Sequence, residues 1–242
     1  MSMLRLDKLL SSQLNISRSD AKKLIRGSKV ILNGTVAKKA DVIINPCVDI
    51  VLVNGKTIEY KEFIYLMLNK PKGVVSASND NRDVTVIDIL PEHLKRSGLF
   101  PAGRLDKDTT GFVLITDNGE FAHNILSPSH HVKKTYLVQV ARMVSDTEYA
   151  EFINGMKIGD EIFKPAELKY IDIDNISGNF VYEIKIIEGR YHQIKRMFAS
   201  SGNAVLELKR IAIGSLFLDD NLQAGEAKEL SDSELELIYK IL

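Results

Sequence analysis

Apolar residues recur at helical spacing over the first thirty positions, then give way to short runs bounded by turn residues. Leu4, Leu6, Leu9, Leu10, Leu14 and Ile16 supply the apolar face and exit of a first helix. Ser17 or Ser19 can cap a second helix carrying Ala21, Leu24 and Ile25 and ended by Gly27. Residues 29–32 read as a strand, Asn33-Gly34 as a hairpin turn, and 48–53 as another strand closed by Asn54-Gly55. Residues 1–59 therefore make a compact module near the lower size limit of a domain.

The pattern changes at Phe63. Strands are expected at 63–68, 74–75, 112–116, 135–141, 167–173, 180–187, 204–213 and 215–218. Helices are expected at 84–90, 119–126, 146–153, a basic one at 189–200, and an acidic one from Ser233. Hairpin-linked strands with interspersed helices predict an α+β second domain, residues 60–242, with a mainly antiparallel or mixed sheet and flanking helices.

The most informative stretch is 103–119. A charged Arg-Leu-Asp turn sits between Gly103 and Gly111 and runs into Phe112-Val113-Leu114-Ile115. A run apolar on both faces reads as a central buried strand, so Asp106 is held on a turn pinned to the core. Arg-Leu-Asp-Lys occurs twice, at 5–8 and 104–107. The first copy opens an amphipathic helix, where Asp7 complements the helix N-terminus. Only the second has the setting of a site. Taken alone, the commoner role for an Asp in the setting of Asp106 is to cap a turn.

The chain has 242 residues and zero formal net charge, unevenly spread. Ten Lys/Arg face five Asp/Glu up to Glu59, and from Asp219 onward seven acids face two lysines. A basic module clustering Arg5, Arg18, Lys22, Lys23 and Arg26 favours RNA contact over plain solvation. Cys47 is the sole cysteine, which excludes an internal disulfide and suggests a reducing compartment. No run reaches membrane-span length and no apolar signal core is present, so a cytoplasmic location and no membrane partner are expected. His130, His131 and His192 have no carboxylate or thiolate cluster at ligand spacing, so no metal site is expected.

Several motifs together resemble a known family. Arg5-Leu6-Asp7-Lys8, Ser17-Arg18, Ala21, Ile25, Gly27 and 30–34 resemble the S4 RNA-binding module. Asn69-Lys70-Pro71-Lys72-Gly73, Gly103-Arg104-Leu105-Asp106 with Thr109-Thr110-Gly111, Lys134-Thr135-Tyr136-Leu137-Val138 and 188–198 resemble the catalytic domain of the RsuA branch of pseudouridine synthases. Residues 127–131 and 218–226 add to the likeness. The resemblance implies a small N-terminal S4 (αL-like) module followed by a pseudouridine synthase domain, acting without a cofactor.

It also implies roles. Asp106 would be the nucleophile or base at the sugar, Lys195 its paired cation, and Tyr136 the ring against a flipped uracil. Ile194 would form the pocket's apolar wall. Arg104 would fill the gap left by the flipped base or hold its phosphate. Lys70 and Lys72, flanking Pro71, could grip backbone phosphates, and Arg190, His192 and Arg196 could do so from a basic helix. The implied substrate is small-subunit (16S) rRNA at uridine 516 in the usual rRNA numbering, within an assembly particle, acted on by a monomer. Rival readings are the same reaction on a large-subunit (23S) uridine, a non-catalytic S4 ribosome-assembly factor, and a glycosidase using Asp106 and Asp108. The last pair stands too close in sequence to flank a sugar, and would leave the basic module unexplained.

Overall fold

The computed structural model describes residues 3–127 and 132–239. The chain divides into two compact units, Met1–Ile64 with His93–Leu99, and Tyr65–Glu92 with Phe100–Leu242. The first unit reclaims the later stretch through Arg96, whose guanidinium donates to the Lys61 and Glu62 carbonyls at 2.8 Å each.

In the first unit, helices Leu6–Gln13 and Arg18–Arg26 bury Leu6, Leu9, Leu10, Ala21 and Ile25 against Val30, Ile44, Val51 and Val53. Ser17 caps the second helix, its hydroxyl accepting from Asp20 N at 3.1 Å. A four-stranded sheet runs in the order Thr35–Val36, Val30–Leu32, Val51–Val53, Lys56–Thr57. Both of its hairpins turn on Asn-Gly with positive φ at both residues, 50° and 80° at Asn33-Gly34 and 49° and 80° at Asn54-Gly55. This is the backbone twist that two-residue hairpins favour. The strand expected at 48–53 is only Val51–Val53, because the Asp49 carboxylate accepts from Asn45 N at 2.7 Å and folds the preceding residues into a turn. Asp7 is buried, and its carboxylate takes both guanidinium contacts of Arg5 at 3.0 Å.

The second unit is built on a nine-stranded sheet among the described residues. Its main order is Glu167–Ile173, Phe180–Ile186, Lys134–Val140, Val205–Ile213, Thr110–Thr116, Tyr65–Lys70, Ala227–Glu229. Every neighbour in that order is antiparallel except Val205–Ile213 beside Thr110–Thr116, which is parallel. That seam has two register partners, Lys209 with Thr110 and Arg210 with Gly111. Gly111 permits it: φ is +95°, and a Cβ there would lie 2.2 Å from the Arg210 carbonyl oxygen. Phe112 to Ile115 are fully buried, as a central strand requires. Helix Gly119–Leu126, capped by Asn118, and helix Asp232–Tyr239 contribute Ala122, Ile125 and Ile238 to one core cluster. Helix Asp146–Asn154 and helix Gln193–Ser200 meet through Phe152 and Phe198, with ring centroids 4.7 Å apart.

Three expectations fail locally. Residues 84–90 form turns: the Asp88 carboxylate accepts from Thr85 N and Thr85 Oγ1 at 2.8 Å each, competing with helix formation. Residues 74–75 make a single parallel bridge, Val75 to Thr85, rather than a strand. The basic helix begins at Gln193, not Gly189, because His192 takes a left-handed conformation, φ 49°.

Candidate active site

Asp106 sits on the turn that feeds the buried strand Thr110–Thr116. The turn is pinned from beneath. Ser76 Oγ donates to the Leu105 carbonyl at 3.1 Å and accepts from Leu105 N at 3.0 Å. Gly73 N donates to the Lys107 carbonyl at 2.8 Å. Lys70 supplies the third pin. It is fully buried, and its ammonium donates to the carbonyls of Pro71, Lys107 and Thr109 at 3.0, 3.2 and 2.8 Å. Burial pulls its pKa down to about 8, against the favourable fields of Asp108 and Asp106. The expected phosphate grip at Lys70 is therefore corrected: the strand Tyr65–Lys70 carries its side chain inward, where the loop's carbonyls occupy all three donors. Lys72 does reach the surface, in an ion pair with Glu207 at 2.5 Å.

One segment distant in sequence faces Asp106, the left-handed His192 and the helix Gln193–Ser200 that follows it. Lys195 Nζ stands 3.2 Å from Asp106 Oδ2, and His192 Nε2 stands 3.4 Å from Oδ1. Lys195 also binds both oxygens of Asp108, at 2.6 and 2.8 Å. Burial alone would lower the Lys195 pKa, but the hydrogen bonds it donates to Asp108 and then Asp106 outweigh it and hold the ammonium above its ordinary value. The same hydrogen bond holds the Asp108 carboxyl below the usual range. Asp108 is thus a site residue that the sequence reading considered only as half of a glycosidase pair.

These groups open onto a cleft of about 430 Å³. Tyr136, Ile186, Ile194 and Leu208 form its apolar side, and Arg104, Asp106, Arg190, His192 and Lys195 its polar side. Tyr136 is brought there from strand Lys134–Val140, directly across from Ile184 and Arg210. Thr109 also lines the cleft, and its buried hydroxyl has no hydrogen-bond partner among the described residues. Of the expected side chains, Arg104, Asp106, Tyr136, Arg190, His192, Ile194 and Lys195 share this one cleft.

Arg196 does not. It pairs with Glu161 at 2.8 Å and lies over the Phe163 ring at 4.9 Å, because its helix turns it away from the cleft. Arg190 bridges both settings, lining the cleft while its Nε pairs with the buried Glu188 at 3.2 Å. Glu188 also accepts from Lys164 N at 2.9 Å and Gln193 Nε2 at 3.0 Å, which fixes the turn before the helix.

In the first unit, Arg5, Lys22 and Arg26 line a separate cleft of about 660 Å³ together with Lys38, Lys39 and a single acid, Asp41. Lys38 and Lys39 were absent from the sequence-based set, since they lie in an irregular stretch. Arg18 and Lys23 are not among that cleft's lining residues, and Lys23 pairs with Asp20 at 2.8 Å. His130 and His131 lie outside the described residues. Among the described residues no cluster of His, Cys, Asp or Glu could hold a metal ion, and no helix is long and apolar enough to cross a membrane.

A family model for RNA pseudouridylate synthases matches residues 64–200, and an S4-domain model matches residues 4–50. The chain belongs to the RNA pseudouridylate synthase family, with an S4 domain ahead of the catalytic domain. It is a pseudouridine synthase, an isomerase of uridine in RNA. Within that family it is similar to an uncharacterized RNA pseudouridine synthase, YtzG, of Bacillus subtilis, with 43% identity over 97% of this chain and 98% of the relative. It is also similar to ribosomal small subunit pseudouridine synthase A of Haemophilus influenzae, with 41% identity over 98% of this chain and 100% of the relative. A solved structure described as a pseudouridylate synthase superposes with a TM-score of 0.66 at 39% identity, covering 97% of this chain and 99% of that one.

Proposed function

We propose that this enzyme isomerises one uridine of small-subunit ribosomal RNA, uridine 516 in the usual rRNA numbering, with Asp106 as the nucleophile. The reaction breaks the bond from ribose to a ring nitrogen and makes one from ribose to ring carbon 5. The carbon loses a proton and the nitrogen gains one, so composition is unchanged. The chain needs a carboxylate at the sugar, a slot for the extruded base and a shield from water.

The observation that carries this reading is the convergence of Asp106, Lys195 and Tyr136 on one cleft. Lys195, 3.2 Å away, stabilises the Asp106 carboxylate in a half-buried setting. Tyr136 offers a ring for the uracil, and Ile194 packs beside it. Extruding a base from its stack costs a few kcal/mol, and stacking on an aromatic returns about 1–3 kcal/mol. Arg104, exposed two residues before Asp106, fills the gap in the stack or holds the flanking phosphate. The small-subunit target is supported by the relatives that carry that name.

The test is pseudouridine mapping of ribosomal RNA from cells with and without the gene. One small-subunit position should lose its modification, regain it with wild type, and stay unmodified with Asp106→Asn. An unchanged map would refute the reading.

A further inference from the structure

A second groove of about 1170 Å³ adjoins the catalytic cleft and shares Arg104, Asp106, Arg190 and His192 with it. Its own walls add Ser76, Lys107 and Tyr191. Tyr191 is the unusual member: 77% of it is exposed, although it belongs to the turn that delivers His192 to Asp106. Its ring lies nearly parallel to the His192 imidazole, with centroids 3.9 Å apart and planes 15° from parallel. The left-handed backbone at His192, φ 49°, presents the two rings side by side. Positive φ is uncommon for residues with a Cβ, although histidine is among those that adopt it more readily, and it is kept where the surrounding structure holds it.

We propose that the Tyr191–His192 stack is the platform for the base next to the reacting uridine in the RNA strand. The proposal rests on the reading of the cleft as the uridine site and extends it to the neighbouring nucleotide. With one face of Tyr191 against the imidazole, the rest of its ring is open to the groove. Single-stranded RNA is held by stacked aromatics beside cations that track the backbone. Arg104 supplies such a cation in the same groove, together with Lys107, paired with Asp83 at 2.6 Å, and Arg190, paired with Glu188 at 3.2 Å. The imidazole links the two subsites, touching Asp106 at 3.4 Å on one side and Tyr191 on the other. A base seated on Tyr191 therefore helps keep the strand drawn out while its neighbour occupies the cleft.

The experiment is a double-mutant cycle between protein and RNA. Full-length wild type, Tyr191→Phe and Tyr191→Ala are titrated with a short RNA of the small-subunit target sequence. The RNA is used intact or with one abasic site at each position flanking the uridine. Binding is read by filter retention, and pseudouridine formation by KM and kcat. Tyr191→Ala should bind the intact RNA about tenfold more weakly, with KM raised to match and kcat nearly unchanged. Tyr191→Phe should behave as wild type. One abasic position should cost wild type the same factor and cost Tyr191→Ala nothing further. Wild-type binding by Tyr191→Ala overturns the proposal, as do losses that multiply at both flanking positions. Failure of wild type to form pseudouridine both in the intact RNA and in small-subunit particles isolated from cells lacking the gene instead overturns the uridine reading, and the binding cycle still decides the role of Tyr191.

Discussion

Lys195 stands closer to Asp108 than to Asp106: its ammonium is 2.6 Å from the first carboxylate and 3.2 Å from the second. One cation is divided between two acids, and the exposed acid holds the larger share. Asp108→Asn removes the stronger hydrogen bond that keeps the Lys195 pKa raised. The ammonium should then lose its proton at lower pH, so the alkaline decline of kcat should begin earlier than in wild type. Folding stability should change by less than about 1 kcal/mol, as for other exposed pairs. Lys195→Met should reduce kcat by about a hundredfold or more at every pH, since Asp106 then loses the ammonium that stood 3.2 Å from it. Both are read from pH–rate profiles, and an unmoved alkaline limb in Asp108→Asn would refute the sharing.

Lys70 ties three carbonyls under the Asp106 turn, so Lys70→Met should leave buried acceptors unsatisfied. A loss of about 2–4 kcal/mol is expected from denaturant unfolding, with a larger loss of activity than of fold. The pH dependence has a definite sign. The folded pKa of about 8 lies below the ordinary lysine value of 10.5, so between those limits the unfolded chain binds more protons. The contribution of Lys70 to stability therefore rises as pH rises from about 8 toward 10.5. The stability gap between wild type and Lys70→Met should widen over that window, and a flat gap would count against the burial argument.

Gly111→Ala would drive a Cβ into the Arg210 carbonyl, at a backbone angle that alanine resists. The parallel seam should open, with a loss of about 3 kcal/mol or more or with no soluble protein. Gly34→Ala is the control. Its φ of +80° is similar, but a Cβ there would meet no atom within 4 Å beyond its chain neighbours among the described residues, so only the conformational cost of about 1–2 kcal/mol should appear.

Lys38→Glu with Lys39→Glu should weaken RNA capture, because both lysines line the basic cleft of the S4 unit. Each lost phosphate contact should reduce the slope of log affinity against log salt by about one. The measurement is a salt titration of binding. An unaltered slope would exclude this cleft from the RNA path.

Residues with local signals were legible in sequence. The period-two and period-3.6 patterns located the main strands and most helices, and the glycines around the Arg-Leu-Asp turn marked Asp106. Lys195, Tyr136 and Ile194 came from motif resemblance, since nothing local distinguishes a cleft lysine from a solvated one. Lys70 was misread because a lysine beside proline looks like a surface turn, whereas the strand Tyr65–Lys70 carries it inward. Arg196 was misread because the expected helix began too early, before the left-handed turn at His192. Asp108 and Tyr191 depend on contacts that sequence spacing does not encode.

The two-residue parallel seam also sets a schedule. Asp106 and its turn belong to one side of strand Val205–Ile213, and Tyr136 to the strand on its other side. A growing polypeptide that has reached Phe198 already contains every side chain of the cleft but Leu208, yet lacks the strand that carries Leu208 and joins the two walls. Assembly of the cleft thus waits until that strand has left the ribosome, and a chain cut short before it is born inert.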